Sequence, residues 1–304
     1  MLITRSVHPK LLLPGVKDFF GMKYKDYKPI WSQMFETTTS QRAYEEIVEE
    51  SGFGLAAIKG EGQSIAYDTT SEGATTRFTP VNFALGFIVT EEEVDDNLYG
   101  DKAFSRAGSL ARSMRVTKEI VHANVLNRSQ NSSYVGGDGV QLVSSAHPTI
   151  NGTQSNLLTA ADLSEASLED AMTNIMLAKD SRGLPIMARA VKLLIPPNEA
   201  FNAYRILNAR LQTGKGTDST NTNNPNAMRE MGWAPEVVVN PYFDDTDQWF
   251  IVTDVPNGLL SVQRKGLAFG DDGDFDTGNL KHKAQERYVP GWADWRGVYG
   301  NAGA

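Results

Sequence analysis

The stretch that most constrains this chain runs from Val81 to Val89, where Val81, Phe83, Leu85, Phe87 and Val89 alternate with Asn82, Ala84 and Gly86. A period of two places one apolar row on one face of a strand and is incompatible with a helix. Directly behind it, Thr90 with Glu93 three residues on forms a capping-box pattern, and Glu91, Glu92 and Glu93 put carboxylates at the positive end of a helix dipole. Strand therefore gives way to helix at Thr90. Gly100 is predicted to interrupt that helix. From Asp101 the positions Phe104, Ala107, Leu110, Ala111, Met114, Val121 and Val125 fall along one side. The run to Asn127 spans about 40 Å at 1.5 Å per residue.

Upstream, Gln63 to Thr69, with Ile65 and Tyr67 in step, is predicted to return against the strand once Asp68 to Ala74 makes the tip. A hairpin from Phe53 to Val89 would have arms of roughly 50 to 60 Å. Two strands of that length do not bury their own apolar row. Little else in the sequence reads as a sheet ready to receive them, so a second copy of the chain is the expected support. On the helix, Lys102, Arg106, Arg112, Arg115, Lys118 and Arg128 outnumber Asp101 and Glu119. Two readings stand: a solvated face, or a basic stripe meeting acidic surface on a neighbouring copy, such as its segment from Glu45 to Glu50.

Composition sets outer limits. A chain of 304 residues suggests about two domains, and 40% hydrophobic content is enough for real cores. The net charge of −8 argues against a general nucleic-acid binder held by counterion release. An acidic surface can still face packed DNA, because repulsion prevents sticking. The absence of cysteine removes disulfides, thiolate metal sites and cysteine nucleophiles together. Leu11, Leu12 and Leu13 are followed at once by Pro14 and Gly15, far short of a membrane span or a signal-peptide core. A soluble intracellular protein is expected.

The segment up to Trp31 reads as an irregular arm. Pro9, Pro14, Gly15, Gly21 and Pro29 punctuate it, while Phe19, Phe20, Tyr24, Tyr27 and Trp31 need a surface to bury against. That surface is either its own domain or a neighbour. Gln41 to Glu50, after Ser40 as N-cap, is predicted to be a short acidic helix ended by Ser51 and Gly52. Beyond the long helix come an apolar piece from Val140 to Val143 among glycines and a loop at His147-Pro148. A second amphipathic helix is predicted from Asp162 to about Lys179, stopped by Gly183 and Pro185. Val191 to Ile195 reads as a buried strand, and Pro196-Pro197 leads into a helix from Asn198 to Leu211. Gly214 to Asn226 reads as a mobile polar loop. Short strands follow at Val237 to Val239, Trp249 to Val252 and Leu259 to Gln263, then a loop from Gly270 to Gly278 and a polar strand from Lys281 to Val289.

Taken together these passages resemble the major capsid proteins of tailed phages of the Hong Kong 97 type, near the Mu-like major head subunits. The residues that carry the likeness are Leu85-Gly86-Phe87 running into Val89-Thr90-Glu91-Glu92-Glu93, and His147-Pro148 with Gln154-Ser155-Asn156. Farther on they are Leu193-Leu194-Ile195-Pro196-Pro197, Val239-Asn240-Pro241-Tyr242, Trp249-Phe250-Ile251-Val252-Thr253-Asp254 and Trp295-Arg296-Gly297. Their order and spacing, over nearly the whole chain, are more specific than any one of them. The resemblance implies an α+β capsid fold: an N-terminal arm with a short helix over 1–50, an extended hairpin loop over 51–90, a peripheral domain with its spine helix over 91–185 and 257–304, and an axial domain over 186–256. It implies a shell of hexamers and pentamers enclosing double-stranded DNA without sequence-specific binding, located in the virion and assembled in the host bacterial cytoplasm. Other copies of itself, a scaffolding protein, a portal and a decoration protein are the implied partners, with no membrane. With no spare domain ahead of the arm, the scaffold is expected to be a separate protein. An encapsulin-like compartment shell is the alternative.

Enzymatic motifs are poor by comparison, and a hydrolase with an inserted lid hairpin is the weaker rival. Asp276-Thr277-Gly278 spells an aspartic-protease triplet in a single copy without an apolar flank. Asp272, Asp274 and Asp276 imitate a calcium loop, but Thr277 stands where its glycine belongs and Lys283 where its final glutamate belongs. His8, His122, His147 and His282 show no metal-ligand spacing. Gly60, Gly62, Gly214 and Gly216 lie in no phosphate loop. No catalytic residue, cofactor or metal is expected. Some relatives of the resembled family join subunits by Lys–Asn bonds promoted by a buried Glu; Lys59, next to Glu61, is read here as an ordinary surface lysine. The expected contacts between subunits are Phe19, Phe20, Trp31, Lys59, Glu61, Arg77, Phe83, Phe87, Arg106, Arg112 and Arg115.

Overall fold

The computed structural model describes residues 9–95, 99–211, 225–274 and 277–303. The chain opens with helix α1 (Pro9–Lys25) and a single turn α2 (Trp31–Met34), followed by strands β1 (Glu36–Thr39), β2 (Glu45–Glu50), β3 (Glu72–Phe78) and β4 (Val81–Val89). Helices α3 (Glu91–Asp95) and α4 (Tyr99–Asn127) come next, then the small hairpin of β5 (His147–Thr149) and β6 (Gly152–Gln154), and α5 (Glu165–Met176). The second half contains β7 (Ala190–Ile195), α6 (Ala200–Asn208), α7 (Ala227–Glu230), β8 (Glu236–Val239), β9 (Trp249–Thr253), β10 (Leu259–Gly273), β11 (Leu280–Trp292) and β12 (Val298–Asn301).

Two four-stranded sheets organise these elements, in the orders β1-β10-β11-β4 and β12-β9-β7-β8. In the first, α4 and α1 cover one side. Val16, Phe20, Val89, Ala107, Leu110 and Met114 share a core there with Ala284 of β11. The predicted helical stripe is thus the buried one, and the helix runs through Gly100 without a break. In the second, Leu193, Ile195, Trp249 and Ile251 pack under α5 and α6 through Leu168, Ile175, Ala203 and Leu207. Ser164 caps α5 with a reciprocal capping box to Ser167, and Pro197 starts a single 3-10 turn that feeds α6, as the sequence requires. Helix α5 and strand β12, placed with the peripheral domain from the sequence, share this second core. Its chemistry explains this: the one apolar face of α5 has its large buried partners on the second sheet, not on the first.

Several expectations are corrected. The N-terminal segment is a helix over Pro9–Lys25 despite Pro14 and Gly15; burial of Val16 and Phe20 against α4 outweighs the breakers. It packs on its own chain. Residues 45–50 are a strand, not an acidic helix, with alternate residues turned inward. The choice follows from what each face meets: Ile47 packs beside Phe78 and Leu260, and Glu49 reaches the buried Arg296 at 3.0 Å. Strand β4 forms as its alternation demands, but its partner is β11, antiparallel and in unbroken register from Val81↔Tyr288 to Val89↔Leu280. The returning arm at 63–69 has no strand structure, and β3 pairs with β2 instead. The long two-stranded element is β10–β11, which replaces the loop expected from Gly270 and supplies the sheet the sequence hid. The polar loop expected over 214–226 lies mostly outside the described residues, as do His8 and Asp276.

The second half closes on a glycine contact. A Cβ on Gly297 would lie 2.3 Å from the Gly258 Cα, so two main chains touch where neither has a side chain to yield. Gly297→Ala is expected to cost about 1–3 kcal/mol through forced separation, read as a lower urea midpoint with unchanged m-value.

Candidate functional site

Residues 51–71 form a loop without regular structure between β2 and β3, and its apolar side chains point into solvent. Ile58 is 98% exposed, Tyr67 93% and Leu55 85%, with Phe53 and Ile65 also exposed. So concentrated a set of uncovered large apolar side chains marks a contact surface. The base of the loop, by contrast, is fastened. Ser51 and Ser71 join through main chain and hydroxyls. Asp68 accepts from the Gly54 and Thr69 amides at 2.8 Å each and from Arg182 Nη1 at 2.7 Å. Those two amides, followed by the guanidinium, hold the Asp68 carboxyl below its ordinary pKa. Arg182 Nη2 donates in addition to the Thr69 carbonyl. One strand away, the Arg296 guanidinium is buried and binds Glu49 and Asp294. The motif Trp295-Arg296-Gly297 drew attention in the sequence, but nothing there pointed to Arg182 or Asp68.

The predicted contact residues divide between this surface and the interior. Lys59 and Glu61 are exposed on the loop, and Arg112 is exposed on α4. Arg77 pairs with Glu46 at 2.7 Å and lies over Tyr44. Arg106 forms a two-pronged pair with Glu93, at 2.8 and 2.9 Å, so Glu93 serves this ion pair while Thr90 Oγ1 accepts from its amide. Arg115 stacks over Tyr27. Phe19 packs edge-on against Phe104, Phe20 lies on Phe269 and Trp31 is buried beside His122. Phe83 stacks on Tyr288 and Phe87 on His282, each half-buried on β11. The helix cations therefore form no single stripe; Lys118 is buried.

Lys118 stands at the centre of a polar cluster that no sequence pattern announced. Its ammonium binds Glu286 at 2.8 Å between the rings of Trp31 and Tyr288, and Tyr24 donates to the same carboxylate at 3.0 Å. Burial, and then Glu286, push the Tyr24 phenol well above its ordinary pKa. One turn on, Glu119 accepts from the Ile30 and Trp31 amides at 2.9 Å, holding the start of α2. Burial nonetheless raises its carboxyl. His122 Nδ1–H donates to the Lys118 carbonyl at 2.7 Å, which leaves Nε2 to accept from the Ser261 hydroxyl at 2.8 Å.

Little here is arranged for a reaction. His147 lies 2.6 Å from Asp138 through Nδ1, but Nε2 is occupied by Asn156 at 3.1 Å and the ring stacks on Trp295. Neither nitrogen is left to move a proton. Among the described residues no three His, Cys, Asp or Glu side chains converge for a metal, and no helix is long and apolar enough to cross a membrane.

Comparisons agree with this structural character. A family model described as phage capsid protein matches residues 73–301. No curated protein sequence matches the chain. The capsid of an empty GTA particle superposes with a TM-score of 0.56 at 11% identity, covering 91% of each chain. The bacteriophage PhiM1 mature capsid gives 0.55 at 13% identity, over 90% of this chain and 87% of that one. A virus-like particle from Pyrococcus furiosus gives 0.52 at 11% identity, over 95% and 98%. At such identities the likeness is one of fold, here the Hong Kong 97 type.

Two outcomes follow from the buried cluster. Lys118→Met alone strands the Glu286 carboxylate and should cost about 3–5 kcal/mol, whereas Lys118→Met with Glu286→Leu should recover most of it, measured as a urea double-mutant cycle. Burial lowers the His122 imidazole from 6.5 to about 4. The unfolded chain therefore binds the extra proton between those values, and the stability it confers is complete above pH 6.5 and lost as pH falls toward 4. The loss should be roughly 3 kcal/mol, and His122→Gln should flatten that part of the stability–pH curve.

Proposed function

The chain belongs to the phage capsid protein family, and from that membership we propose that it is the major head subunit of a tailed phage, closing as hexamers and pentamers into an icosahedral shell around double-stranded DNA. The observation that carries this reading is the loop over 51–71, anchored at its base and uncovered along its length. A side chain as exposed as Ile58 or Leu55 has no reason to be apolar on a solitary molecule. Covered by a neighbour, it contributes about 25 cal/mol for each Å² of apolar surface removed from water. Repetition over many subunits then turns modest contacts into a stable particle. Arg112, Arg77 and Glu61 lie on the same exposed surfaces and serve as the polar rim that fixes orientation.

The net charge of −8 suits a container that holds DNA without gripping it. Such a subunit assembles in the host bacterial cytoplasm with a separate scaffolding protein, meets a portal at one vertex, accepts a decoration protein outside and ends in the virion. The purified chain is expected to elute as multimers and to show hollow particles by negative stain, and nucleic acid inside particles from infected cells separates a phage head from an encapsulin-like compartment. Replacing 54–67 by a short Gly-Ser linker should leave the thermal midpoint within a few degrees and reduce particle yield at least tenfold. A compact monomer from the unaltered chain at high concentration would contradict the reading. With Lys59 as a plain surface lysine, particles should run on a denaturing gel as one band near 33.3 kDa.

A further inference from the structure

The first sheet ends at β4, and no strand among the described residues pairs with its far edge. Two observations establish which main-chain groups face outward. A Cβ on Gly86 would lie 2.6 Å from the His282 carbonyl oxygen, so that carbonyl points at β4 and Phe87–His282 is a hydrogen-bonded pair. The Ile88 carbonyl, next along, accepts from Arg106 Nη1 at 3.0 Å, a donor outside the sheet. Sides alternate along a strand, so Asn82, Ala84, Gly86 and Ile88 turn their N–H and C=O groups away from β11.

This edge has none of the usual protections. Between Val81 and Val89 there is no charge and no proline, and the register against β11 never shifts, whereas the β10–β11 ladder shifts twice. Val81 is 55% exposed, Ile88 51% and Leu85 48%. A flat, uncharged, apolar edge of this kind is a template for another strand.

We propose that a second copy completes the sheet, residues Ser64–Tyr67 of its loop adding as a strand along Asn82–Gly86. This rests on the shell reading and names the contact that reading needs. Ser64 to Tyr67 carry no ladder bonds in their own chain, and Ile65 and Tyr67 stand two apart, the spacing that places both on one face of a strand. Main-chain pairing supplies affinity in such additions and alternate side chains supply specificity. A seat for one of those side chains lies beside the start of β4, in a groove of about 520 Å³ lined by Val81, Phe83, Val125, Tyr134 and Trp292. The Tyr288 residue that also lines it has a buried hydroxyl without a hydrogen-bond partner.

A chain without cysteine makes the test free of background. Ala84→Cys is combined in turn with cysteine at Ser64, Ile65, Ala66 and Tyr67, and assembled particles are oxidised. Cross-strand neighbours bring Cβ atoms to about 4.5–5.5 Å, near disulfide range. One or two in-register combinations should give covalent ladders that reductant removes. Particles that form with no ladder from any combination overturn the contact while leaving the shell reading intact. A dimer from Ala84→Cys alone also overturns it, because it shows β4 pairing with β4 of another copy. An unaltered chain that never multimerises removes the shell reading and this contact with it. Ala84→Pro deletes one outward donor that β11 does not use, so it should keep the monomer's urea midpoint near that of the parent and lower particle yield at least tenfold; undiminished assembly would refute the proposal.

Discussion

Four segments that are remote in sequence meet at one buried ammonium. Lys118, on α4, is neutralised by Glu286 of β11, roofed by Trp31 of α2 and floored by Tyr288, while Tyr24 of α1 shares the carboxylate. A charge so enclosed is tolerable only while every partner is in place, since the interior offers no water to replace a missing one. The long helix cannot shift along the sheet without breaking this cluster. The terminal helix and the first turn after it are drawn onto the same point, through Tyr24 and through the Glu119 carboxylate below Ile30 and Trp31.

That rigidity gives the uncovered parts their meaning. The body is cross-braced by two sheets and by the Gly258–Gly297 contact, and the loop is tied only at its base by Asp68, Arg182 and the Ser51–Ser71 pair. An apolar loop held at a defined root on a stiff body loses less freedom on docking than a free tail would, so more of its buried area appears as affinity. The β4 edge has the complementary property. It is already straight, paired on one side and free of charge. One surface lacks a partner for its side chains, and the other lacks one for its main chain.

Misread elements share a cause. The segment from Glu45 to Glu50 carries acids at a density that suits a helix, yet one of those acids is needed by Arg296, a residue nearly the whole chain away. Residues 9–25 contain a proline and a glycine that locally favour irregular chain, and tertiary burial of Phe20 decides otherwise. The strand β10 was predicted to end at Gln263 because Lys265, Gly266 and the Asp-Gly run look like loop. It continues since β11 offers it a partner to Gly273.

By itself the sequence determined the elements whose periodicity is strong and local: strand β4, the helix that starts at Thr90, the capped α5, and the β7 and β9 cores with the prolines that follow the first. These depend on spacing of two or of three to four residues, which a linear text records. It also determined that no cysteine chemistry is present and that the family likeness extends over nearly the whole chain. Only the tertiary structure decided that β4 lies on β11, that the extended loop is 51–71 and not a long ladder, and that Lys118 belongs to the interior while Arg112 belongs to the surface. Strand partners and charge burial are set by what arrives from distant parts of the chain, and no local pattern encodes an arrival.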